Sequence, residues 1–303
     1  MPLITLFSSP KPFTNPHIAM IQRNAIRSWT LLPDVEVFLI GEEDGLADAA
    51  KELGVTHLPN VKKNEKGTPL ISSMFDLARA HGAGELLCII NADMILMPDF
   101  VDAAKLCASG LRRNFVMLSQ RWDYDIAAPV DFSDGWQNHL RSSVLAQAKL
   151  HKPAGSDFFL FPKNCYQNIP DFAIGRAGWD NWMIYKARKE NYAVMDCTPS
   201  IMLIHQNHDY AHLAGAKPHY DHPESHVNTQ LAGGDAAIRY TILDATRQLR
   251  DGRFVRPKMD AARFLRQVEI FLRAVFFFLP EERIESIARP KRWKKRLNKL
   301  FKR

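Results

Sequence analysis

Three short stretches of the chain hold side chains whose types and spacing can do chemistry. The first is Leu86-Leu87-Cys88-Ile89-Ile90-Asn91-Ala92-Asp93-Met94-Ile95-Leu96, an apolar strand-like run broken by Asn91 and Asp93. A buried carboxylate without a partner is costly, so such a group is paired or bound to a metal. Asp93 falls where a parallel strand ends, the edge at which open α/β sheets place ligands. Divalent cations that travel with phosphates take oxygen ligands, one or two of them carboxylates. The plain alternative is an Asp that caps a turn.

The second stretch is Ile174-Gly175-Arg176-Ala177-Gly178-Trp179-Asp180-Asn181-Trp182. Its glycines allow close backbone approach, and Trp179 and Trp182 supply flat apolar walls of the kind that face sugar rings. Asp180 stands at a helix start. There a carboxylate can act as general base on a hydroxyl, or it can simply cap the helix.

The third stretch begins at Ile204-His205-Gln206-Asn207-His208, and six of the eleven histidines lie between residues 205 and 226. Imidazole is a common metal ligand and also an acid, base or phosphate donor. His205 directly follows an apolar strand and is the best-placed ligand, with His208 second. His219, His222 and His226 read as loop residues, and the zinc-protease spacing His-Glu-x-x-His is absent. Two lesser candidates join these. Asp157, in Gly155-Ser156-Asp157, can hydrogen-bond a sugar hydroxyl or shape a turn. Arg121 follows an apolar strand at the same edge as Asp93 and offers a forked donor to phosphate or carboxylate. Arg79, with Asp76, reads as structural.

The elements that must position these groups alternate. Apolar runs at 2–8, 35–41, 55–58 and 86–93 read as strands, and helical spacing covers 16–29, 44–53 and 69–81, the last beginning near Pro69. Strands alternating with helices of this length indicate parallel βαβ units. A helix over 98–108 and a strand over 115–119 continue the pattern. The second half is more mixed. Strands are expected at 157–161, 194–196 and 200–205, helices at 180–190 and 236–250, and an irregular loop at 206–235.

The net charge is +7, yet nine Lys or Arg residues and no acids lie between Arg289 and Arg303. The rest of the chain is close to neutral, which argues against a nucleic-acid-binding body. Phe264 to Leu279 is strongly apolar except for one stripe of Arg266, Glu269 and Arg273. Beyond Pro280, Trp293, Leu297, Leu300 and Phe301 fall on one helical face among the cations. That is the pattern of an interfacial helix on anionic lipid, the alternative being a solvated or self-packed tail. Residues 1–7 read as a first strand with no leader pattern, and no run of about 18 uncharged apolar residues would span a membrane. The cysteines (Cys88, Cys107, Cys165, Cys197) form no Cys-x-x-Cys pair and read as reduced, buried thiols of a cytoplasmic protein.

With these residues in hand, the chain over roughly residues 1–230 resembles glycosyltransferases of the GT-A fold, in particular uncharacterised bacterial ones of surface-polysaccharide type. Asn91-Ala92-Asp93 resembles the family's Asp-x-Asp metal motif, Gly178-Trp179-Asp180 its acceptor-helix acid, and His205 its late histidine. The resemblance implies an α/β GT-A domain over 1–250, with a Rossmann-like nucleotide-binding half and a mixed central sheet flanked by helices. A basic, amphipathic helical tail over 251–303 would follow. The implied reaction moves a sugar from a nucleoside-diphosphate sugar to a hydroxyl of a glycan or lipid-linked acceptor, with inversion.

The resemblance also implies residue roles. Asp93 would hold Mn²⁺ or Mg²⁺ against the diphosphate, with His205 and His208 completing the metal site. Asn91 would contact ribose or a metal-bound water, Arg121 the donor, and Phe7 and Ser8 the nucleobase. Asp180 would deprotonate the acceptor, held by Asp157, Trp179 and Trp182. The enzyme would sit on the inner face of the cell membrane through its tail. Asn91 departs from the motif and removes one carboxylate, so Asp93 leans more on His205. A sugar nucleotidyltransferase would want a glycine-rich loop where Ser8-Ser9-Pro10-Lys11-Pro12 stands; a non-catalytic sugar-nucleotide-binding scaffold is the remaining alternative.

Overall fold

The computed structural model describes residues 1–154, 156–208 and 222–275. They fall into two units, Met1–Val255 and a second beginning at Arg256. The first unit runs β1 (Ile4–Ser8), α1 (Pro16–Thr30), β2 (Val35–Ile40), α2 (Leu46–Leu53), β3 (Thr56–Leu58), α3 (Ile71–His81), β4 (Leu86–Ile90), β5 (Met94–Ile95), α4 (Asp99–Gly110), β6 (Phe115–Leu118), β7 (Arg121–Tyr124) and α5 (Trp136–Gln147). It continues with β8 (Lys149–Leu150), β9 (Phe158–Pro162), α6 (Trp179–Lys189), β10 (Ala193–Asp196), β11 (Leu203–Gln206), α7 (Pro223–Leu231), a 3₁₀ turn at Ile242–Asp244, β12 (Arg247–Arg250) and β13 (Arg253–Val255).

Two sheets organise it. The large one has the order β13-β12-β10-β6-β9-β4-β1-β2-β3, and the small one β5-β11-β7-β8. The first βαβ units lie in parallel, β1 against both β2 and β4 and β2 against β3, as their alternation requires. Two strands make the sheet mixed: β9 runs antiparallel between β4 and β6, and β13 runs antiparallel to β12 at one edge. The strands are almost continuously apolar because both faces are covered. One core cluster, including Ile4, Leu6, Trp29 and Phe100, lies on one side. A second, including Phe7, Phe75, Phe161 and Trp182, lies on the other. The layout is the one the GT-A resemblance implies: a Rossmann-like half and a mixed central sheet flanked by helices.

Several boundaries differ from the sequence reading. Pro69 precedes α3, whose cap is Leu70, and does not open the helix. The strand expected to reach Asp93 stops at Ile90. The expected helix over 236–250 is instead the 3₁₀ turn followed by β12, because Arg247 and Gln248 pair with Met195 and Asp196. Within the expected loop 206–235, residues 223–231 form α7, capped by the His222 side chain. All four cysteines are free and buried.

In the second unit, α8 (Ala261–Val275) carries the charged stripe, but inverted with respect to water. Arg266 and Glu269 are buried and paired at 3.0 Å, while Phe264, Phe271 and Val275 are exposed. Residues 276–303, with the tail's Trp293, Leu297, Leu300 and Phe301, lie outside the described residues, as do Gly155, His212 and His219. Among the described residues no helix is long and apolar enough to cross a membrane.

Candidate active site

Asp93 lies in the tight connection between β4 and β5, closed by Met94 N–H donating to Asn91 O at 3.2 Å. Helix α1 holds that connection through a face the apolar pattern does not reveal. The fully buried Trp29 donates its indole N–H to Met94 O at 2.8 Å, and Ser28 Oγ accepts from Leu96 N at 3.1 Å. Asn24, also buried, donates to Gln206 Oε1 at 3.0 Å, and Gln206 Nε2 reaches Ile21 O at 2.7 Å and Asp93 O at 3.2 Å. One helix thus fixes both the Asp93 turn and the end of β11.

The small sheet supplies the rest. In its register His205 pairs with Met94 on one side and with Asp123 on the other. Directly paired positions project to one face, so His205 and Asp123 meet, with His205 Nδ1 3.4 Å from Asp123 Oδ1, while Asp93 reaches His205 from the turn that precedes β5. His208 Nε2 lies 3.1 Å from Asp93 Oδ2, and His205 Nε2 lies 3.7 Å from the same oxygen. Ligand atoms of Asp93, His205 and His208 all lie within 4.8 Å of one another. Asp93 Oδ1 is buried and has no hydrogen-bond partner among the described residues. Burial pushes the Asp93 carboxyl up, but the His208 hydrogen bond and the charges of His205, His208 and Lys11 outweigh it and hold it at about 2. Burial pulls His205 below its ordinary value, against the opposing pull of Asp93. An ionised carboxylate with an orphaned oxygen beside a weakly basic imidazole is a donor set that fits a divalent cation.

Beside the triad is a cavity of about 430 Å³ lined by Asn15, His17, Ile18, Asp125, Asn207 and His208. Its wall includes the start of α1, where Asn15 Oδ1 accepts from His17 N and Ile18 N at 3.0 Å each and no acid occupies the first turn. The positive end of the helix dipole therefore borders the triad, a setting that favours an anion.

A second polar cluster adjoins the first. Arg121 Nη1 donates to Asp157 Oδ1 at 2.6 Å and Arg121 Nε to Asp123 Oδ1 at 2.9 Å. Asn91 Nδ2 also donates to Asp157 Oδ1, at 3.0 Å, and His151 Nδ1 lies 2.6 Å from Asp123 Oδ2. Burial works to lower the Arg121 pKa, but Asp157 and Asp123 raise it further, so the guanidinium stays charged. Arg121, expected as an open donor to phosphate, is held by two carboxylates. Asn91 is likewise turned to Asp157.

Asp180 sits in the first turn of α6, whose cap is Gly178. Gly178 has φ of 111°, and an added Cβ would meet Ile238 Cγ2 at 3.2 Å, so glycine is required there. The approach is anchored by α7. Buried Asn228 bonds Ala173 N at 2.9 Å and Ala173 O at 3.1 Å, and Glu224 takes Asn64 at 2.7 Å and Arg176 at 2.8 Å. Burial raises the Asp180 carboxyl to about 6, with the charge of Asp157 adding to it against opposing backbone N–H groups.

Three expectations are corrected by placement. Trp179 and Trp182 are core residues, against Phe159 and Phe172 respectively, and form no open sugar-facing wall. Phe7 is fully buried against Phe75, not at a nucleobase. Ser8 is buried too, and its hydroxyl donates to Ile90 O at 2.6 Å, tying β1 to β4. Sequence reasoning missed Asp123, His151, Asn207 and the start of α1. Arg121 and Asp123 stand two apart, which on a strand places them on one face; that spacing was the available signal.

No protein-family model and no curated protein sequence matches the chain. Solved structures do. Glucosyl-3-phosphoglycerate synthase from Mycobacterium tuberculosis, with UDP and Mg²⁺, is 15% identical over 68% of this chain and 72% of its own, TM-score 0.43. The same enzyme in another crystal structure is 14% identical over 77% and 82%, TM-score 0.46. A mannosyltransferase from Pyrobaculum calidifontis, with GDP-mannose and Mn²⁺, is 14% identical over 69% and 58%, TM-score 0.43.

Proposed function

We propose that the chain is a metal-assisted glycosyltransferase that takes a nucleoside-diphosphate sugar as donor. The observation that carries this reading is the Asp93–His205–His208 triad, with Asp93 Oδ1 unsatisfied, beside a cavity bordered by the start of α1. Asp93, His205 and His208 would hold the divalent cation, Mn²⁺ or Mg²⁺. When bound, it neutralises charge that builds on the leaving diphosphate. The start of α1 favours the same charge from the other side, without moving in the reaction. Asp180 is the base for the acceptor hydroxyl. A carboxyl at about 6 is ionised at neutral pH yet still basic enough to take a proton. Direct attack by a hydroxyl activated in this way inverts the anomeric carbon. Asp157 is held by Arg121 and Asn91, and supports Asp180 by its charge more than by reaching an acceptor.

The acceptor we propose is a glycan or a lipid-linked sugar at the inner face of the cell membrane. The exposed Phe264, Phe271 and Val275 of α8 and the nine cations between Arg289 and Arg303 support a peripheral attachment to anionic lipid. Sedimentation with phosphatidylglycerol vesicles, lost on truncation before Arg289, is the expected result; unchanged sedimentation removes the attachment from the proposal.

The donor reading is tested by thermal unfolding. UDP or GDP with Mn²⁺ is expected to raise the melting temperature, and Asp93→Ala to abolish the rise. Failure of every nucleoside diphosphate, with or without metal, to stabilise the protein would sink it.

A further inference from the structure

The far edge of the small sheet carries polar groups that the metal triad does not use. We propose that this edge, through Lys149 and His151, binds a phosphate group, and that the phosphate belongs to the acceptor. Calling the ligand an acceptor rests on the glycosyltransferase reading above; the phosphate site itself does not.

The register brings these residues to the site face. Lys149 of β8 pairs with Asp123 of β7, and Leu150 with Trp122. His151 N–H donates to Arg121 O at 2.8 Å and carries the same pairing one residue further. Directly paired positions share a face, so Lys149 and His151 stand with Asp123 and Arg121. Trp122 turns the other way and packs with Trp136 and Val144 of α5. His205 faces Asp123 from β11, so Lys149 lies two strands from it, roughly 10 Å across the sheet. An acceptor whose hydroxyl meets the donor beside the triad can place its next substituent at this edge.

His151 is fixed at three points. Besides its N–H, its carbonyl accepts from Gln120 Nε2 at 2.5 Å, and its Nδ1 lies 2.6 Å from Asp123 Oδ2. An ionised carboxylate only accepts, so Nδ1 bears the proton. Nε2, across the ring, has no partner among the described residues, and the side chain is 35% exposed. A phosphate suits Nε2 in either state of the ring. The imidazolium donates to a phosphate oxygen, and the neutral ring accepts from a P–OH.

The same bonds leave Lys149 over. Opposite Asp123 it would make a cross-strand ion pair, but Arg121 Nε takes Asp123 Oδ1 at 2.9 Å and His151 takes Oδ2. Lys149 and Lys152 are exposed, and neither has an acidic partner among the described residues. Two ammonium groups beside an oriented imidazole favour an anion. Cations on an edge strand also ward off pairing with other chains, but that role needs no imidazole held at three points.

The test is a ³¹P NMR titration with glycerol 3-phosphate. It uses the full chain without metal or nucleotide, and the Asp93→Ala variant, from which the proposed cation site has been removed. Equal binding to both is expected, with Lys149→Gln and His151→Ala each weakening it about 10-fold, the loss of one charge-assisted hydrogen bond. Absence of binding, or an affinity indifferent to both substitutions, overturns the inference. Lys149→Gln lies on an exposed edge and decides the matter even if His151→Ala does not fold. Dihexanoyl phosphatidate carries the same group on acyl chains. Tighter binding than glycerol 3-phosphate supports the site with a lipid-linked phosphate as its source, and equal binding supports it with a soluble phosphate ester. Nucleotide-induced stabilisation plays no part in this titration, so the donor reading and the phosphate site can fail separately.

Discussion

Asp93 and Asp180 are the same side chain in two settings, and the settings drive them apart. Both are penalised by burial. At the turn after β4, two imidazoles and Lys11 reverse the penalty and hold Asp93 at about 2. At the start of α6 only backbone N–H groups oppose it among the described residues, and the negative Asp157 adds to it, so Asp180 rises to about 6. A pair of carboxyls displaced in opposite directions is how one fold divides labour between charge and proton transfer. The low one is an anion at every working pH and suits a cation. The high one is a base that can give up and take a proton near neutrality.

The sharpest way to break this division is to remove the anion. Asp93→Ala should lower kcat/KM on the order of 10³-fold, since a metal supplies several kcal/mol of transition-state stabilisation. Mn²⁺ binding should vanish with it. Retained Mn²⁺ binding in that variant would place the cation elsewhere.

Next is the base. Asp180→Asn should cut kcat by roughly 10²- to 10⁴-fold and leave Mn²⁺ affinity unchanged. It should also make the protein more stable at pH 7. A carboxyl raised from its ordinary value to about 6 on folding contributes stability that is present below about pH 4 and lost as pH rises through 6, a cost of roughly 3 kcal/mol. Asp93 has the opposite sign: its stability is present above about pH 4 and is lost as pH falls toward 2. A melting temperature at pH 7 that drops in Asp180→Asn would contradict the burial argument.

A smaller effect is expected at Asp123. Asp123→Asn should weaken Mn²⁺ binding about 10- to 100-fold by releasing the His205 ring, which its Oδ1 faces at 3.4 Å; an unchanged Mn²⁺ affinity would assign the ring's orientation to Asn207. The smallest effect joins the two carboxyls. Asp157→Asn should shift the acidic limb of the kcat/KM profile to lower pH, because one source of the Asp180 rise is gone. A limb that stays in place would assign the rise to burial alone.

How far the sequence reaches is seen residue by residue. The early strands and helices were legible because both faces of the sheet are covered and the apolar runs are nearly unbroken. Asp93 and His205 were each legible as candidates because one breaks and the other follows such a run; that they meet was implied only by the resemblance to GT-A glycosyltransferases. What was not legible depends on pairing between distant segments. β7 reads Arg-Trp-Asp-Tyr, half-exposed throughout, and is a strand only because β11 lies beside it. β12, Arg-Gln-Leu-Arg, falls in a stretch expected as helix and holds a single apolar residue, so only its pairing with β10 makes it a strand. Trp179 and Trp182, three apart on a helix, occupy the face that meets the core, so their size signalled packing and not sugar. The buried polar side of α1, with Asn24 and Ser28, has no signature in an apolar pattern.

That polar side of α1 sets the order in which the protein can be made. Asn24 waits for Gln206, 182 residues later, before its hydrogen bond can form. At ordinary ribosomal speeds the interval is roughly 10 to 40 s. During it the first βαβ units can assemble, but the turn bearing Asp93 lacks its imidazole partners and half of its clamp. A nascent chain thus lacks the proposed cation site, and any message truncated before His208 yields product without the Asp93–His205–His208 cluster.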